Sequence, residues 1–359
     1  MRISNGMRTA GKTAALLAMM IAVNAALSWV LEPLCSSSEE MWQNFHAMEQ
    51  VTAVYTGTSQ CLQGINPLTV DAVLAESDDI GAEWISYNMA TNMQSLANSR
   101  EAIAAAIEEY GISRAVLAVD HEILTGSRSE NARADQSFWR GKALTESSIP
   151  ERLCDDLRFM TSDAFIGKPA SLTYLMPWVY NRTSNIRLNI REKLSGTIID
   201  DSGHRNSRGF QASSEQLDPA QEFISWDEAE QWDQEAESLQ ELSISKENEK
   251  ELESIRDLCS GSGVELIVVI LPYPNWLSIY RKDDIIRTDQ QLQEIFGSAG
   301  YDFYDFNRLL PEYFNASGNE YYSDVGHMNE KGAERFSAFL GKFLQERAKG
   351  TEVDSWFQK

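Results

Sequence analysis

The stretch "VTAVYTGTSQ" (51–60) has the pattern of a buried strand that ends in a turn of small residues. Two further apolar stretches, "AEWISYNMATN" (82–92) and "RAVLAVDHEIL" (114–124), are also predicted to contain strands. Between them, residues 95–110 are rich in alanine and carry apolar residues at helical spacing. Strand, helix and strand in this order predict a right-handed parallel crossover.

The same alternation returns near the C-terminus. The spacing predicts helices at 246–263, around 288–299 and at 329–348, with strands at 264–274 and 301–306 between them. The two halves together predict an α/β fold with one parallel sheet of about five strands and helices on both faces.

A long segment, 125–245, interrupts this alternation and is predicted to be an insertion in a domain that spans 51–345. Residues 32–50 are predicted to be a connector, and 346–359 a C-terminal tail. Within the insertion, the run "SLTYLMPWVYNR" (171–182) has two interpretations: a helix that packs on the core, or a surface near a membrane. We favour the packed helix.

Residues 13–31, "TAALLAMMIAVNAALSWVL", are 19 residues without a charge, close to the length of a membrane-spanning helix. Three basic residues and no acidic one precede this run: Arg2, Arg8 and Lys12. The positive-inside rule therefore predicts that residues 1–12 are cytoplasmic and that the rest is exported. A cleaved signal peptide is the alternative, because "VNA" (23–25) has the small residues of a cleavage site. We favour a single-pass membrane anchor, because the apolar run continues to Leu31.

The formal net charge of the chain is -23, and the part that follows the three basic residues carries about -26. A negative field of this size repels phosphate backbones, so we expect no nucleic-acid partner. Anionic lipid headgroups would be repelled as well, so membrane attachment is assigned to the anchor. The four cysteines form no Cys-x-x-Cys pair, which argues against a zinc site. Export would permit a disulfide, with Cys154 and Cys259 as the candidate pair.

Parallel sheets place their chemistry at the carboxyl ends of the strands. After the first predicted strand stands Ser59, whose hydroxyl and backbone N–H can both face such a site. Near the C-terminus, "DVGH" places Asp324 three residues before His327, with Asn329 as a candidate helix cap. Asp324 can accept a hydrogen bond from one ring nitrogen and leave the other free to take a proton from Ser59. The structural alternative is that Asp324 only caps the following helix.

These motifs, "GTSQ" after the first strand and "DVGHMNEKGAERFS" near the C-terminus, resemble the SGNH (GDSL-like) hydrolase superfamily. The anchor, the "YNMATNMQS" loop and the long insertion resemble its membrane-anchored branch, which includes teichoic-acid D-alanyl-transfer proteins and relatives that O-acylate exported polysaccharides. The resemblance implies a flavodoxin-like three-layer fold with Ser59 as nucleophile, His327 as base and Asp324 as its orienting acid. It implies no metal or organic cofactor.

The second and third blocks of the sequence depart from the superfamily pattern, because the loops read "NMATN" and "VDHE" where a glycine and an asparagine are expected. Asn92, and after it Asn88, could donate to the oxyanion in their place, although Asn88 could instead tie down a turn. We interpret His121, after the third strand, as a structural histidine rather than the base.

The resemblance implies acyl transfer to hydroxyls of a cell-surface glycan or polyol polymer, with a membrane-bound O-acyltransferase as partner. Two other functions remain open. A secreted carbohydrate esterase would use the same residues with water as the acceptor. A non-catalytic scaffold of a surface-polymer assembly system would keep the fold without using the triad, and the altered second and third blocks favour it.

Overall fold

A computed structural model of the chain describes residues 5–76, 84–126, 128, 132–199, 204–217, 244–274, 289–297, 300–315 and 318–357. The chain divides into two compact units. The helical unit comprises Met1–Glu39 and Gln136–Ser202, and the sheet unit comprises Glu40–Asp135 and Gly203–Lys359.

The sheet unit is built on five parallel strands in the order β2-β1-β3-β4-β5. This order is the doubly wound arrangement known from flavodoxin. It confirms the prediction of an α/β fold with a parallel sheet of five strands. The strands are β1 (Ala53–Gly57), β2 (Ser86–Asn88), β3 (Arg114–Ala118), β4 (Glu265–Ile270) and β5 (Asp302–Asp305).

The α-helices of both units alternate with these strands or lie outside the sheet. Those with both ends in the described part of the chain are, in chain order, α1 (Asn5–Leu31), α2 (Ser37–His46), α3 (Ser59–Gly64), α4 (Pro67–Leu74), α5 (Leu96–Tyr110), α6 (His121–Thr125), α7 (Ala132–Thr145), α8 (Ile149–Thr161), α9 (Pro169–Thr173), α10 (Pro177–Tyr180), α11 (Ile186–Ser195), α12 (Lys246–Ser262) and α13 (Glu330–Ala348).

Helices cover both faces of the sheet. On one face α13 packs against α3 and α4, and its Phe336 and Leu340 share a buried apolar cluster with Tyr55 of β1 and Val269 of β4. On the other face α5 packs against β1 and α12 packs against β4. Successive strand residues point to opposite faces, so a strand covered on both sides is apolar over most of its length, as residues 266–270 of β4 are.

Hydrogen bonds from side chains fix where the predicted elements end. The third predicted strand, 114–124, stops at Ala118 because the Asp120 carboxylate accepts the N–H of Ile123 and starts α6. The predicted helix 246–263 is confirmed as α12, which Ser245 caps and which ends at Gly263 with φ of +69°. Of the predicted helix around 288–299, the described part ends in a π-helical turn, Gln293–Gly297.

The predicted insertion, 125–245, is divided between the two units. Residues 136–202 belong to the helical unit, whereas the described segment 204–217 returns to the sheet unit. There the N–H of Asn88 donates to Arg208 O and the N–H of Leu217 donates to Tyr322 O, at 2.9 and 2.8 Å.

The helical unit has its own small core. Phe159 of α8 stacks on Phe165 and Tyr174, with ring centroids 4.9 and 4.5 Å apart. Beside them, the buried Lys142 ammonium donates to both carboxylate oxygens of Asp155, at 2.9 and 3.0 Å. The aromatic run 171–182 forms α9 and α10 in this unit.

The suggested disulfide between Cys154 and Cys259 is wrong, because all four cysteines are free. Cys154 is exposed on α8, and Cys259 is buried on α12 in the core of the sheet unit. Burial raises the pKa of the Cys259 thiol to about 12, which keeps it protonated and unreactive.

The N-terminal helix α1 includes a segment, Gly11–Leu31, that is long and apolar enough to cross a membrane. An apolar segment of this length was expected from the sequence. Length and composition alone fit an anchor or a signal sequence equally.

Candidate active site

Three side chains from distant parts of the sheet unit form a continuous hydrogen-bond chain. His327 Nε2 lies 2.7 Å from Ser59 Oγ, and His327 Nδ1 lies 2.8 and 2.9 Å from the two carboxylate oxygens of Asp324. The fold therefore brings together the three residues that the sequence singled out. For Nε2 to accept the serine proton, Nδ1 must carry the ring hydrogen and donate it to Asp324.

The sharp turn between β1 and α3 sets the position of Ser59. Gly57 ends β1 with φ of +154°, and a Cβ built there would lie 2.2 Å from the carbonyl oxygen of Ala118 in β3. Only glycine permits this approach of the two backbones. Thr58 follows and donates its hydroxyl to the buried Asp120 carboxylate at the end of the neighbouring strand. Ser59 is then the first residue of α3, at the carboxyl edge of the sheet.

Asp324 and His327 lie in a tight hairpin that precedes α13. The hairpin is closed by an antiparallel bridge between Tyr322 and Met328 and by the N–H of Ser323, which donates to His327 O at 2.9 Å. Asn329 holds its base, because its amide group donates to Glu320 O and Tyr322 O. These contacts fix the backbone position of His327 independently of the hydrogen bond between its ring and Ser59.

Asn329, not Asp324, caps α13. The side-chain oxygen of Asn329 accepts the N–H of Gly332 at 3.0 Å, as the sequence predicted. Asp324 instead accepts the N–H groups of Gly326 and His327, at 2.8 and 2.9 Å, besides the ring hydrogen bond. The capping alternative for Asp324 is therefore wrong.

The environment of Asp324 favours its charged form. Partial burial alone would raise the pKa of its carboxyl group, but the hydrogen bonds from the His327 ring and from the Gly326 N–H together hold that pKa below its ordinary value. The side chain of Asp324 is 55% exposed and that of His327 is 29% exposed, so the pair lies in an open site.

The two candidate oxyanion donors differ in their surroundings. Asn88 is fully buried, and its amide group donates to Cys61 O and Ile65 O, both at 2.9 Å, so neither N–H is left for a ligand. Its side-chain oxygen accepts the N–H of Ala90. Asn88 therefore ties down the turn after α3, and its prediction as an oxyanion donor is contradicted by these contacts. Asn92 is exposed in the turn after β2, and its predicted role stays a prediction.

Asp120 is a site residue that sequence reasoning missed. Its buried carboxylate receives the Thr58 hydroxyl beside Ser59, and burial raises its pKa above the ordinary value. The signal was available, because Asp120 ends the apolar run 115–119 in the third predicted strand, which lies next to β1. The side chain of the neighbouring His121 lies outside the described residues, so its structural role stays a prediction.

No cluster of three or more histidine, cysteine, aspartate or glutamate side chains suited to a metal ion occurs among the described residues. No family model matches the chain, and no curated protein matches it. A solved structure from Streptococcus pneumonia, described as a platelet activating factor, is similar to it with a TM-score of 0.38 and 12% identity. The match covers 95% of this chain and 100% of that one. Similarity at this level assigns neither a family nor an activity.

Proposed function

We propose that the chain is an exported, membrane-anchored enzyme of acyl-ester chemistry, with Ser59 as its nucleophile. The observation that carries the proposal is the hydrogen-bond chain from Ser59 through His327 to Asp324. A histidine with one nitrogen on a carboxylate and the other on a serine hydroxyl is the arrangement that activates serine for attack on a carbonyl carbon.

The first half of the reaction transfers the acyl group to the enzyme. Ser59 Oγ attacks the carbonyl carbon of the donor ester while His327 Nε2 takes the hydroxyl proton. The bond from the carbonyl carbon to the leaving oxygen then breaks, and His327 returns the proton to that oxygen. Asp324 stabilises the imidazolium formed in between, since its own pKa is low enough to keep it charged.

The second half passes the acyl group to an acceptor hydroxyl. The acceptor oxygen attacks the Ser59 ester as His327 Nε2 takes its proton, and the bond from the acyl carbon to Ser59 Oγ breaks as that proton moves to Oγ. We propose a glycan or polyol polymer as the acceptor. The openness of the site supports this choice, because a polymer chain needs a surface site rather than an enclosed cavity.

The fold proposed with this chemistry is a membrane-anchored SGNH-like one. The 2-1-3-4-5 order of parallel strands, Ser59 at the start of the helix that follows β1, and the Asp-x-x-His motif in the hairpin that precedes α13 all support it. The proposed partner, a membrane-bound O-acyltransferase that delivers the acyl group, follows from the resemblance of the sequence to the membrane-anchored branch.

Turnover of a small activated ester by the purified full chain in detergent tests the proposal. We expect the wild-type protein to turn the ester over and Ser59→Ala to lose that activity. Ser254→Ala is the matched control, because Ser254 is exposed on α12 and its hydroxyl donates only within its own helix. A Ser59→Ala variant that is as active as Ser254→Ala would refute Ser59 as nucleophile.

The same assay with an added acceptor separates transfer from hydrolysis. In the presence of a polyol or glycan polymer, a transferase places the acyl group on the polymer, whereas an esterase releases the free acid at an unchanged rate. A wild-type protein that is folded but inactive on every ester would favour the scaffold.

A further inference from the structure

Exposed large apolar side chains are concentrated in one of the two units. Among the described residues of the sheet unit they are Leu68, Tyr313 and Val325. The smaller helical unit exposes eleven outside α1 within its described part. We call six of these the apolar surface: Ile149, Leu153, Leu157, Leu172, Leu175 and Leu194. A water-facing surface rarely carries so many, so this one points to a partner or a membrane.

Helix α8 shows that this exposure is patterned. Ile149, Leu153 and Leu157 follow one another at intervals of four residues and form a single stripe, of which Ile149 is 73% and Leu157 57% exposed. The buried residues of the same helix, Asp155 and Phe159, point into the unit. The opposite face of α8 already packs into the helical unit. The stripe is therefore a separate apolar face that is available for contact outside the protein.

Side-chain hydrogen bonds tie the apolar surface to α1. Asn24 of α1 donates to Leu175 O at 2.9 Å, and Trp178 Nε1 donates to Asn24 Oδ1 at 2.9 Å. Asn24 lies seven residues before Leu31, the last residue of α1, which is about 10 Å along the helix axis. The segment around Leu175 therefore lies beside the part of α1 that would be inside a bilayer, and the indole of Trp178 suits the membrane interface.

Helix α11 is hydrogen-bonded to the C-terminal end of α1. Asn189 donates to Val30 O and Glu32 O, both at 2.9 Å, and the Lys193 ammonium donates to Trp29 O at 2.7 Å. These bonds satisfy backbone carbonyls that the end of α1 leaves without intrahelical partners. They hold the helical unit at the level where a spanning α1 leaves the membrane.

The two units also differ in their balance of basic and acidic residues. The helical unit has 12 basic and 10 acidic residues, whereas the sheet unit has 19 basic and 44 acidic residues. The negative charge that repels anionic headgroups therefore belongs to the sheet unit. The helical unit can approach a lipid surface without that repulsion.

We propose that the apolar surface of the helical unit is seated in the bilayer interface around the outer end of α1. The occupant of this surface is lipid, and the chain is held to the membrane by a spanning helix together with an interfacial patch. The inference rests on the membrane anchoring in the proposed function and is independent of the ester chemistry.

Spin labels on the full chain in vesicles of phosphatidylcholine and phosphatidylglycerol test the proposal. The labels are attached to Leu157→Cys, Leu172→Cys or Leu194→Cys, one at a time, after Cys35 and Cys154 are replaced by serine. Ile21→Cys in α1 serves as the reference for lipid, and Leu68→Cys, an exposed leucine of the sheet unit, as the reference for water. Power saturation compares relaxation by oxygen, which partitions into lipid, with relaxation by a water-soluble nickel chelate.

We expect the three labels of the apolar surface to show an oxygen-to-nickel ratio several-fold above that of Leu68→Cys. A ratio equal to that of Leu68→Cys would place the surface in water and overturn the proposal. Protection from both reagents would also overturn it, since that result means contact with another protein chain. An Ile21→Cys label exposed to nickel would overturn the anchoring itself, and with it this inference, while the ester chemistry keeps its own test.

Discussion

The two nitrogens of the His327 ring have different partners, and this difference decides the direction of proton transfer. Nδ1 faces a carboxylate that cannot donate when ionised, so Nδ1 must carry the hydrogen and Nε2 is left as the base toward Ser59. Asp324 keeps this arrangement because its lowered pKa preserves the charge at neutral pH. The role of Asp324 is thus to hold one tautomer and to stabilise the imidazolium.

Asp324→Asn should retain the fold and lose most of the activity. The asparagine oxygen can still accept the N–H groups of Gly326 and His327, but it neither stabilises an imidazolium nor selects the tautomer. We expect ester turnover to fall about 100-fold to 10,000-fold. His121→Ala is the control, and we expect it to keep nearly full activity, because the sequence assigns it a structural role. Greater loss with His121→Ala than with Asp324→Asn would contradict this division of roles.

At the scale of elements, the site depends on how closely α13 approaches the hairpin that carries His327. A Cβ built on Gly332 in the first turn of α13 would lie 2.0 Å from the carbonyl oxygen of Tyr321. That carbonyl accepts the N–H of Asn329, the cap of the same helix. Glycine at this position therefore joins helix and hairpin into one rigid support for the histidine.

Gly332→Ala should impair activity more than stability. The new methyl group must push the hairpin outward, which shifts His327 from Ser59 and costs about 1–3 kcal/mol of unfolding free energy. Gly261→Ala in α12 is the matched control, because a Cβ there meets no atom within 4 Å and should stabilise the helix by about 0.5–1 kcal/mol. Equal ester turnover by the two folded variants, with thermal unfolding as the check on stability, would refute the positioning role of this contact.

The carboxyl end of β5 holds a buried acid outside the candidate site. Asp305 accepts the N–H and the side-chain amide of Asn307, both at 2.8 Å. Burial, followed by the nearby carboxylate of Asp289, raises the pKa of Asp305. A folded-state pKa above the unfolded one means that the protonated form is favoured by folding. This contribution to stability is complete in acid and is lost as the pH rises through the folded pKa.

Asp305→Asn should therefore become more stable relative to wild type as the pH rises. Asparagine resembles the protonated acid and keeps an oxygen for Asn307. A tenfold change in a protonation equilibrium corresponds to about 1.4 kcal/mol of free energy. Thermal unfolding at pH 5 and pH 8 measures the difference, with Asp257→Asn on the exposed side of α12 as the control. A difference that is the same at both pH values would show that Asp305 does not titrate in this range.

The elements were predictable from the sequence to the extent that local patterns determine them. The strands are short apolar runs with small or polar residues after them, so their order and the residues at their ends, Ser59 among them, could be found. The role of Asn88 could not be predicted, because it depends on hydrogen bonds to two backbone carbonyls at the end of α3. The sequence does not predict the start of α6, because the apolar residues 123 and 124 continue the strand pattern past the capping carboxylate of Asp120.

Across the whole molecule, charge is distributed unevenly between the two units. The sequence gives a net charge of -23, but the excess of acidic residues lies in the sheet unit. The helical unit combines a nearly balanced charge with exposed apolar side chains and with hydrogen bonds to α1. These contacts join residues more than 150 positions apart, so no local pattern could have predicted them.

We expect α1 to remain attached to the mature protein. Asn24 has two hydrogen-bond partners in the helical unit, which a peptide removed after Ala25 would leave unpaired. The intact mass of the protein from the membrane fraction should therefore include the residues before Ala25. A mature protein that begins near Ala26 would identify the segment as a cleaved signal peptide instead.

Covalent labelling by a fluorophosphonate probe tests whether His327 activates Ser59. The full-length protein is treated with the probe and digested, and mass spectrometry locates the adduct. We expect a single adduct on Ser59 in the wild-type protein and no adduct in a folded His327→Ala variant. An adduct on another residue, or labelling of Ser59 at the same rate in His327→Ala, would contradict this expectation.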